Sequence, residues 1–378
     1  MVSKLPDTGT TIFTVMTELA NRHGAINLSQ GFPDIPTPPK LIELVSHYMQ
    51  SGLNQYAPMP GVLQLREKIA EKVNELYHAK VDAQNEVTIT AGGTQAIYTV
   101  ITTLIQLGDE VILFAPAYDC YAPAIMVNGG KPIYVSLKAP DFAIDWEEVR
   151  GMVSTKTKLI IINTPHNPTG MVMAREDMLQ LQALIDGKEI YVLSDEVYEH
   201  MVFDGQRHES VLRYPELAAQ SFVVSSFGKT YHNTGWKIGY CIAPAKLMAE
   251  FRKVHQYLVF SVNHPMQRAL ADFMELREPY LQLSAFYQAK RDYFIDLLSP
   301  SRFRILKPKG TYFVLLEYSQ LSEKSDTDFA IQLTQEIGVA SIPISVFYPD
   351  NFDQKILRFC FAKQEDTLMK AAERLCKI

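Results

Sequence analysis

The stretch VVSSFGKTYHNTGWKIGY, Val223 to Tyr240, runs an apolar segment into Gly228-Lys229-Thr230, and two readings of its lysine lead to two different folds. Upstream stands IYVLSDE, Ile190 to Glu196, which resembles the magnesium-binding strand of a nucleotidase. A phosphate-binding P-loop requires the spacing G-x-x-x-x-G-K-[ST]. With Gly228 as its second glycine, the first would be residue 223, which is Val223. The nest of backbone N–H groups in such a loop depends on that glycine's freedom. The order is also reversed, because the acidic strand precedes the lysine. Elsewhere Gly129-Gly130-Lys131 runs into Pro132 instead of Ser or Thr. A nucleotidase is therefore excluded. The chain also lacks a G-x-G-x-x-G after a strand, which argues against a dinucleotide enzyme, and a G-x-S-x-G, which argues against a serine hydrolase.

Working outward, the segments around this stretch alternate short apolar runs with helical patterns. EVTIT (86–90) leads to GGTQAIYTVITTLIQLG (92–108), and DEVILFAP, KPIYVSL and TKLIIIN follow. REDMLQLQALIDGK (175–188) leads to EIYVLSD (189–195), and SFVVSS opens the stretch itself. Near-continuous apolar strands separated by helices predict an α/β domain over 41–280, with a mostly parallel sheet covered by helices on both faces. Beyond it, PYLQLSAFYQAKRDYFIDLLS reads as a long helix, and GTYFVLLEY, VASIPIS and KILRFCFA read as strands. These predict a smaller α+β domain over 281–378. The proline-rich QGFPDIPTPP places residues 1–40 as an arm that joins the small domain, crosses the surface or reaches a partner subunit.

Composition bounds the function. The chain has 378 residues, 47% of them apolar and 21% charged, with a net charge of −6. No broad basic surface for nucleic acid is expected. The opening residues lack a charged start followed by a long apolar run, so a secretory signal is not expected. Nor does any segment approach the roughly 18 apolar residues of a membrane span. Four scattered cysteines, with no CxxC pair, read as free thiols in a reducing, cytoplasmic setting rather than as metal ligands.

The polar groups at strand ends carry the chemistry, because open α/β sheets bind ligands there. In TITAGGTQAIY, the Gly92-Gly93 turn puts Thr94 and Gln95 at a helix N-terminus. That is either a plain capped turn or a seat for phosphate. Asp195 follows a buried strand, as a helix cap, a partner in a buried ion pair, or a carboxylate that keeps a ring nitrogen protonated. Tyr198 stands three residues on. In NTPHNPTG, Asn167 is a turn residue or a donor to an anionic ring oxygen. Ser226, Lys229 and Lys237 come with the opening stretch. An exposed lysine pair is ordinary, but a buried lysine beside another cation has a lowered pKa and becomes a nucleophile able to form a Schiff base. Together these groups match the requirements of pyridoxal 5′-phosphate.

On SSFGKTYHNTGWKIGY, LSDEVY, NTPHNPTG, NQYAPMPG and ILRFCFA, all in order, the chain resembles the fold-type I pyridoxal-phosphate-dependent aminotransferases of class I/II over essentially its whole length. SQGFPDIPTPP and APAYDCYAP are similar to the branch of bacterial methionine aminotransferases and the kynurenine and glutamine (type K) transaminases. The resemblance implies that Lys229 bonds the cofactor and Asp195 pairs with its ring nitrogen. It gives Tyr198 and Asn167 the ring oxygen and Tyr118 the ring face. Gly93, Thr94, Gln95, Ser226 and Lys237 would hold the phosphate. Tyr56 would reach that phosphate from the other subunit of a homodimer with shared active sites. Arg358 would grip the substrate carboxylate, helped by Asn167 and the backbone near Gly31. Much of the superfamily has arginine where this chain has Lys237, a point charge in place of a bidentate fork; the kynurenine-like branch shares the lysine. Gly228 and Tyr118 also differ from the commonest residues at their positions. The implied reaction is transfer of an amino group from methionine, an aromatic amino acid, histidine or glutamine to a 2-oxo acid. The alternative is a kynurenine–oxoglutarate or glutamine transaminase with cysteine-conjugate β-lyase activity. The aromatics Phe13, Tyr56, Tyr118, Tyr121, Phe347 and Tyr348 are core packing or pocket lining. A non-catalytic relative would be expected to lose Lys229, Asp195 or Arg358, and all three are present.

Overall fold

A computed structural model describes residues 2–6 and 8–378. Its strands, in chain order, are β1 (Ile26–Asn27), β2 (Val87–Thr90), β3 (Glu110–Ala115), β4 (Lys131–Ser136), β5 (Thr157–Asn163), β6 (Tyr191–Asp195), β7 (Ser221–Ser226) and β8 (Gly239–Ile242). Then come β9 (Arg304–Leu306), β10 (Phe313–Glu317), β11 (Val339–Ala340), β12 (Ile342–Pro343) and β13 (Ile356–Cys360).

The central sheet has seven strands in the order β2-β8-β7-β6-β5-β3-β4. The expected mixture of strands and helices is present, and β5 and β7 coincide with TKLIIIN and SFVVSS. Both faces of these strands are apolar. Leu159, Ile161, Leu193, Phe222 and Val224 pack in one layer with the helix Gly93–Leu104; Ile160, Ile162, Val192 and Val223 pack in the other. Burial on both sides is why the strands read as continuous apolar runs.

β8 departs from the parallel pattern. It runs antiparallel to both β2 and β7, so the other six strands share one direction. The connection before it, Phe227–Ile238, holds only short helical turns at Phe227–Thr230 and Thr234–Trp236, with no helix long enough to carry the chain back along the sheet. The consequence is local and chemical. The start of β8 meets the carboxyl ends of β7 and β2, with Gly239 opposite both Ser226 and Thr90. Lys237, just before β8, is thereby delivered to the edge where those strands end.

A second sheet, in the order β12-β13-β10-β9, is antiparallel, and β13 carries Arg358 opposite Leu315 and Ile342. VASIPIS divides into β11 and β12, which belong to different sheets. β11 pairs in parallel with β1, tying the N-terminal segment to the chain's last hundred residues. The N-terminal segment also contains a helix, Ile12–His23, capped by the Thr11 hydroxyl and ended by Gly24 in the left-handed region (φ 61°). The arm reading of residues 1–40 did not foresee that helix. The segment 28–38 that follows β1 has no helix or strand. The long helix expected over 279–299 forms as Glu278–Leu281 and Leu283–Leu298, interrupted only at Gln282. No helix among the described residues is long and apolar enough to cross a membrane.

Candidate active site

The carboxyl edge of the large sheet opens into a cavity of about 310 Å³. Of the residues singled out in the sequence, Gly31, Gly93, Thr94, Tyr118, Asn167, Asp195, Tyr198, Ser226, Lys229, Lys237 and Arg358 all line it. They come from seven stretches of chain spread over more than three hundred residues.

One end of the cavity is built for an anion. Gly92 has φ +84°, a conformation that favours glycine, and precedes the helix Gly93–Leu104. The first helical backbone bond begins at the Ala96 N–H, so the N–H groups of Gly93, Thr94 and Gln95 are free of the ladder. Lys237 lies across this turn; a Cβ added to Gly92 would stand 3.2 Å from its Nζ. A helix start and a lysine ammonium suit a phosphate. Ser226 lines the same end.

The far wall holds Asp195. Burial pushes its carboxyl up to about 6, although the Tyr121 hydroxyl, donating to Oδ2 at 2.6 Å, and the Val197 N–H favour the charged form. Asn163 fixes this wall, donating to the Asp195 carbonyl at 2.9 Å and accepting from the Asn167 N–H at 2.7 Å. The Asn167 side chain then accepts from Arg358 at 2.8 Å through Oδ1, which leaves its NH2 group free to donate into the cavity.

Lys229 Nζ donates to the Gly31 carbonyl at 3.1 Å and to the Tyr312 hydroxyl at 3.0 Å. Burial, with the like charges of Lys237 and Arg358 nearby, lowers its amine to about 8. A substantial fraction is thus neutral and nucleophilic at mildly alkaline pH. Arg358 is 1% exposed. It bonds only neutral partners, Asn167 Oδ1 and the Ser29 carbonyl at 2.9 Å, and its Nε has none. Phe313 and Phe13 flank its guanidinium at 4.0 and 5.2 Å. Among the described residues no carboxylate pairs with it. A buried cation without a counter-charge is costly and calls for an anionic ligand.

Two residues are not gathered. The Gln95 side chain turns away from the cavity: it accepts from the Ala91 N–H at 2.8 Å and bonds Thr99 Oγ1 and His255 Nδ1. Its backbone N–H, free at the helix start, remains available to an anion. Tyr56 is 79% exposed, edge-on to Phe260, and outside the cavity. Conversely, sequence reasoning missed the contacts of Tyr121 with Asp195, of Asn163 with its wall, and of Tyr312 and Phe313 with Lys229 and Arg358. GTYFVLLEY reads only as an apolar strand, and nothing in it marks a tyrosine that meets a lysine 83 residues away.

A lowered-pKa lysine, a buried aspartate, an anion seat and an unpaired arginine in one cavity define a transaminase architecture. Residues 23–375 match the family model described as aminotransferase class I and II, and the chain belongs to that family. It is an aminotransferase. Over 374 residues it is 54% identical to the methionine aminotransferase of Escherichia coli K12, covering 99% of this chain and 97% of that protein. A solved E. coli structure, YbdL, described as having a methionine aminotransferase function, superposes with TM-score 0.98 at 53% identity, covering 100% and 99% of the two chains. The N-succinyldiaminopimelate aminotransferase structure of Mycobacterium tuberculosis gives TM-score 0.96 at 36% identity, covering 100% and 99%. Human kynurenine–oxoglutarate transaminase 1 is 33% identical over 396 residues, covering 95% and 94%.

Proposed function

We propose that this aminotransferase moves the α-amino group of methionine to a 2-oxo acid, using pyridoxal 5′-phosphate bound in the cavity. Aromatic amino acids, histidine and glutamine are further donors. The observation that carries the reading is the pairing, in one cavity, of the Lys229 amine with the unpaired guanidinium of Arg358. Such a pair fits an amino acid by its two ends. The E. coli relative's name supports methionine, and so does the lining. Phe13, Phe32, Ile97, Tyr118 and Phe313 are apolar or aromatic. Sulfur against aromatic edges is modestly favourable. Among the described residues, no cation beyond Lys229, Lys237 and Arg358 lines the cavity to receive a second carboxylate.

The residues fit the cofactor. The N–H groups of Gly93, Thr94 and Gln95, with Lys237 and Ser226, would hold its phosphate, and Lys229 would be its covalent anchor. Asp195 would hold the ring nitrogen's proton, Tyr198 and the Asn167 amide would donate to the ring oxygen, and Tyr118 would cover the ring. When bound, pyridoxal phosphate supplies a reactive aldehyde conjugated to an electron-withdrawing ring. Arg358, with Asn167 and the backbone at Gly31, orients the substrate carboxylate so that the α-hydrogen faces Lys229. Lys229 Nζ, displaced by the substrate amine, takes that proton as general base and returns it as general acid. One water molecule then enters the cavity and supplies the carbonyl oxygen of the departing 2-oxo acid. We further propose a homodimer in which Tyr56 completes a partner subunit's phosphate seat. The proposed domains are 41–280 and 281–378, with residues 1–40 joining the second.

A second reading, kynurenine or glutamine as donor with β-lyase side activity, is favoured by the human relative and by the same aromatic lining. The test is the visible absorption of the cofactor-loaded protein on addition of L-methionine without oxo acid. Conversion to the amine form of the cofactor supports methionine. Conversion only by kynurenine or glutamine supports the second reading. Faster conversion by aspartate overturns both. Lys229→Ala should abolish turnover and leave slow, noncovalent cofactor binding; normal turnover by that variant would remove Lys229 from its role.

A further inference from the structure

Tyr312 is fully buried just before β10, and the mechanism above does not use it. Its hydroxyl has one proton, and that proton goes to the Gly31 carbonyl at 2.6 Å. Its oxygen lone pairs therefore face Lys229 Nζ, which donates to it at 3.0 Å while also donating to the same Gly31 carbonyl at 3.1 Å. Lysine nitrogen, tyrosine oxygen and glycine oxygen close a triangle in which every contact is a hydrogen bond. The triangle is held from outside. The Tyr312 ring packs edge-on to Phe313 at 4.9 Å and to Tyr198 at 5.2 Å, and tilted on Tyr287 at 5.6 Å. Residue 31 is itself closely packed: a Cβ there would stand 2.9 Å from the Phe313 ring, so the ring or the backbone would have to shift.

Valence gives the triangle its use. A neutral lysine amine has two N–H bonds and one lone pair, arranged tetrahedrally about nitrogen with its own Cε. We propose that Tyr312 is a positioning residue: its hydroxyl and the Gly31 carbonyl take both N–H bonds of Lys229, so the remaining lone pair faces the cavity and the substrate's α-hydrogen. Without the second acceptor the amine rotates about its Cδ–Cε and Cε–Nζ bonds, and the lone pair is correctly aimed for only part of the time. Proton transfer depends steeply on such alignment. The inference rests on Lys229 acting as the base in the proposed function.

The test is Tyr312→Phe, which keeps the ring and its packing. Tyr287→Phe is the control, since it removes a neighbouring buried hydroxyl that has no hydrogen-bond partner. With the loaded enzyme and L-methionine, Tyr312→Phe should lower kcat roughly 10- to 100-fold, with KM changed less than about 3-fold. The isotope effect on kcat with α-deuterated methionine should rise, because the misaimed proton transfer becomes rate-limiting. Tyr287→Phe should leave all three unchanged. A merely structural role would alter KM or folding but not the isotope effect.

The second readout needs neither cofactor nor turnover: acetylation of Lys229 by a neutral amine reagent, followed against pH by peptide mass in the cofactor-free protein. The charged and titratable groups acting on the amine from the surrounding elements are Cys360, Lys237, Arg358 and Asp195, with the phenols of Tyr198 and Tyr312 at its side. The Tyr312 oxygen bonds the ammonium form more strongly than the amine. Its removal should move the titration midpoint of Lys229 below that of the parent, by about one unit. If wild-type protein fails to transaminate, the proposed function falls, while this titration still decides whether Tyr312 holds the amine. If wild-type protein turns over and Tyr312→Phe matches it in kcat, isotope effect and midpoint, the positioning role is overturned.

Discussion

Arg358 brings a full positive charge into the core with only neutral oxygens around it, and that imbalance separates its stability effect from its functional one. Replacing it with leucine removes an uncompensated buried cation, so the cofactor-free protein should not melt lower than the parent. If Arg358 binds the substrate carboxylate as proposed, the same change should reduce kcat/KM for methionine by about 100-fold or more, some 3 kcal/mol. Thermal melting and steady-state kinetics on one preparation check both signs; a large loss of stability with modest loss of activity would contradict this account. Asp195 gives the pH dependence. Its carboxyl sits near 6, raised by burial, so it is charged above that pH and increasingly protonated below it. If its charge holds the cofactor's ring nitrogen, affinity for pyridoxal phosphate should weaken as pH falls through about 6. In Asp195→Asn the affinity should be lower and lack this inflection. Fluorescence titration of cofactor into the stripped protein over this range is the measurement. These residues were nameable in the sequence because each occupies a motif whose order is informative. Tyr312 was not, because its role comes only from where its hydroxyl lands.

At the scale of elements, the end of β6 and the loop after it divide their residues between two tasks. Asp195 and Tyr198 face the cavity. Glu196 and Glu199 turn the other way into buried polar clusters: Glu196 meets His208 at 2.8 Å and the Val211 N–H at 3.0 Å. Glu199 meets Lys72 at 2.7 Å, Tyr240 at 2.9 Å, Ser225 at 2.5 Å and the Tyr77 hydroxyl. This clamp fixes the loop from behind. Lys72→Met alone leaves Glu199 a buried charge without its cation and should cost about 3–5 kcal/mol in urea unfolding. Lys72→Met with Glu199→Leu should recover most of that loss; no recovery would show that the pair contributes by more than its charges. The strands around this loop were legible because apolar runs of five to seven residues between helical patterns have few other interpretations. The direction of β8 was not, since hydrophobic pattern carries no sign of strand polarity; the lack of a long helix in the connection before it supplies the reason afterwards. The helix Ile12–His23 was hidden by attention to the proline-rich run after it, although Thr11 and Gly24 are ordinary helix start and stop residues.

For the whole molecule, the proposed dimer is tested at the exposed aromatic residues. Tyr56, Tyr257 and Phe260 are 79%, 87% and 48% exposed, and Tyr56 packs on Phe260 without reaching this chain's own cavity. Scattered apolar residues on a surface are common, but an exposed aromatic pair such as Tyr56 and Phe260 suits an interface. Sedimentation should give a particle of twice the chain mass, and Tyr257→Asp with Phe260→Asp should shift it toward the monomer with loss of activity. A fully active wild-type monomer would end the shared-site reading. The sequence by itself determined the α/β class, the family resemblance and most of the residues that line the cavity. Those rest on local pattern and on motifs in a consistent chain order. Only the tertiary structure decided that Lys237 reaches the anion seat by way of an antiparallel strand, that the Gln95 side chain serves its own helix, that Arg358 has no acid beside it, and that Tyr312 holds the lysine. Each depends on distances between residues far apart in the chain, which packing fixes and sequence order does not.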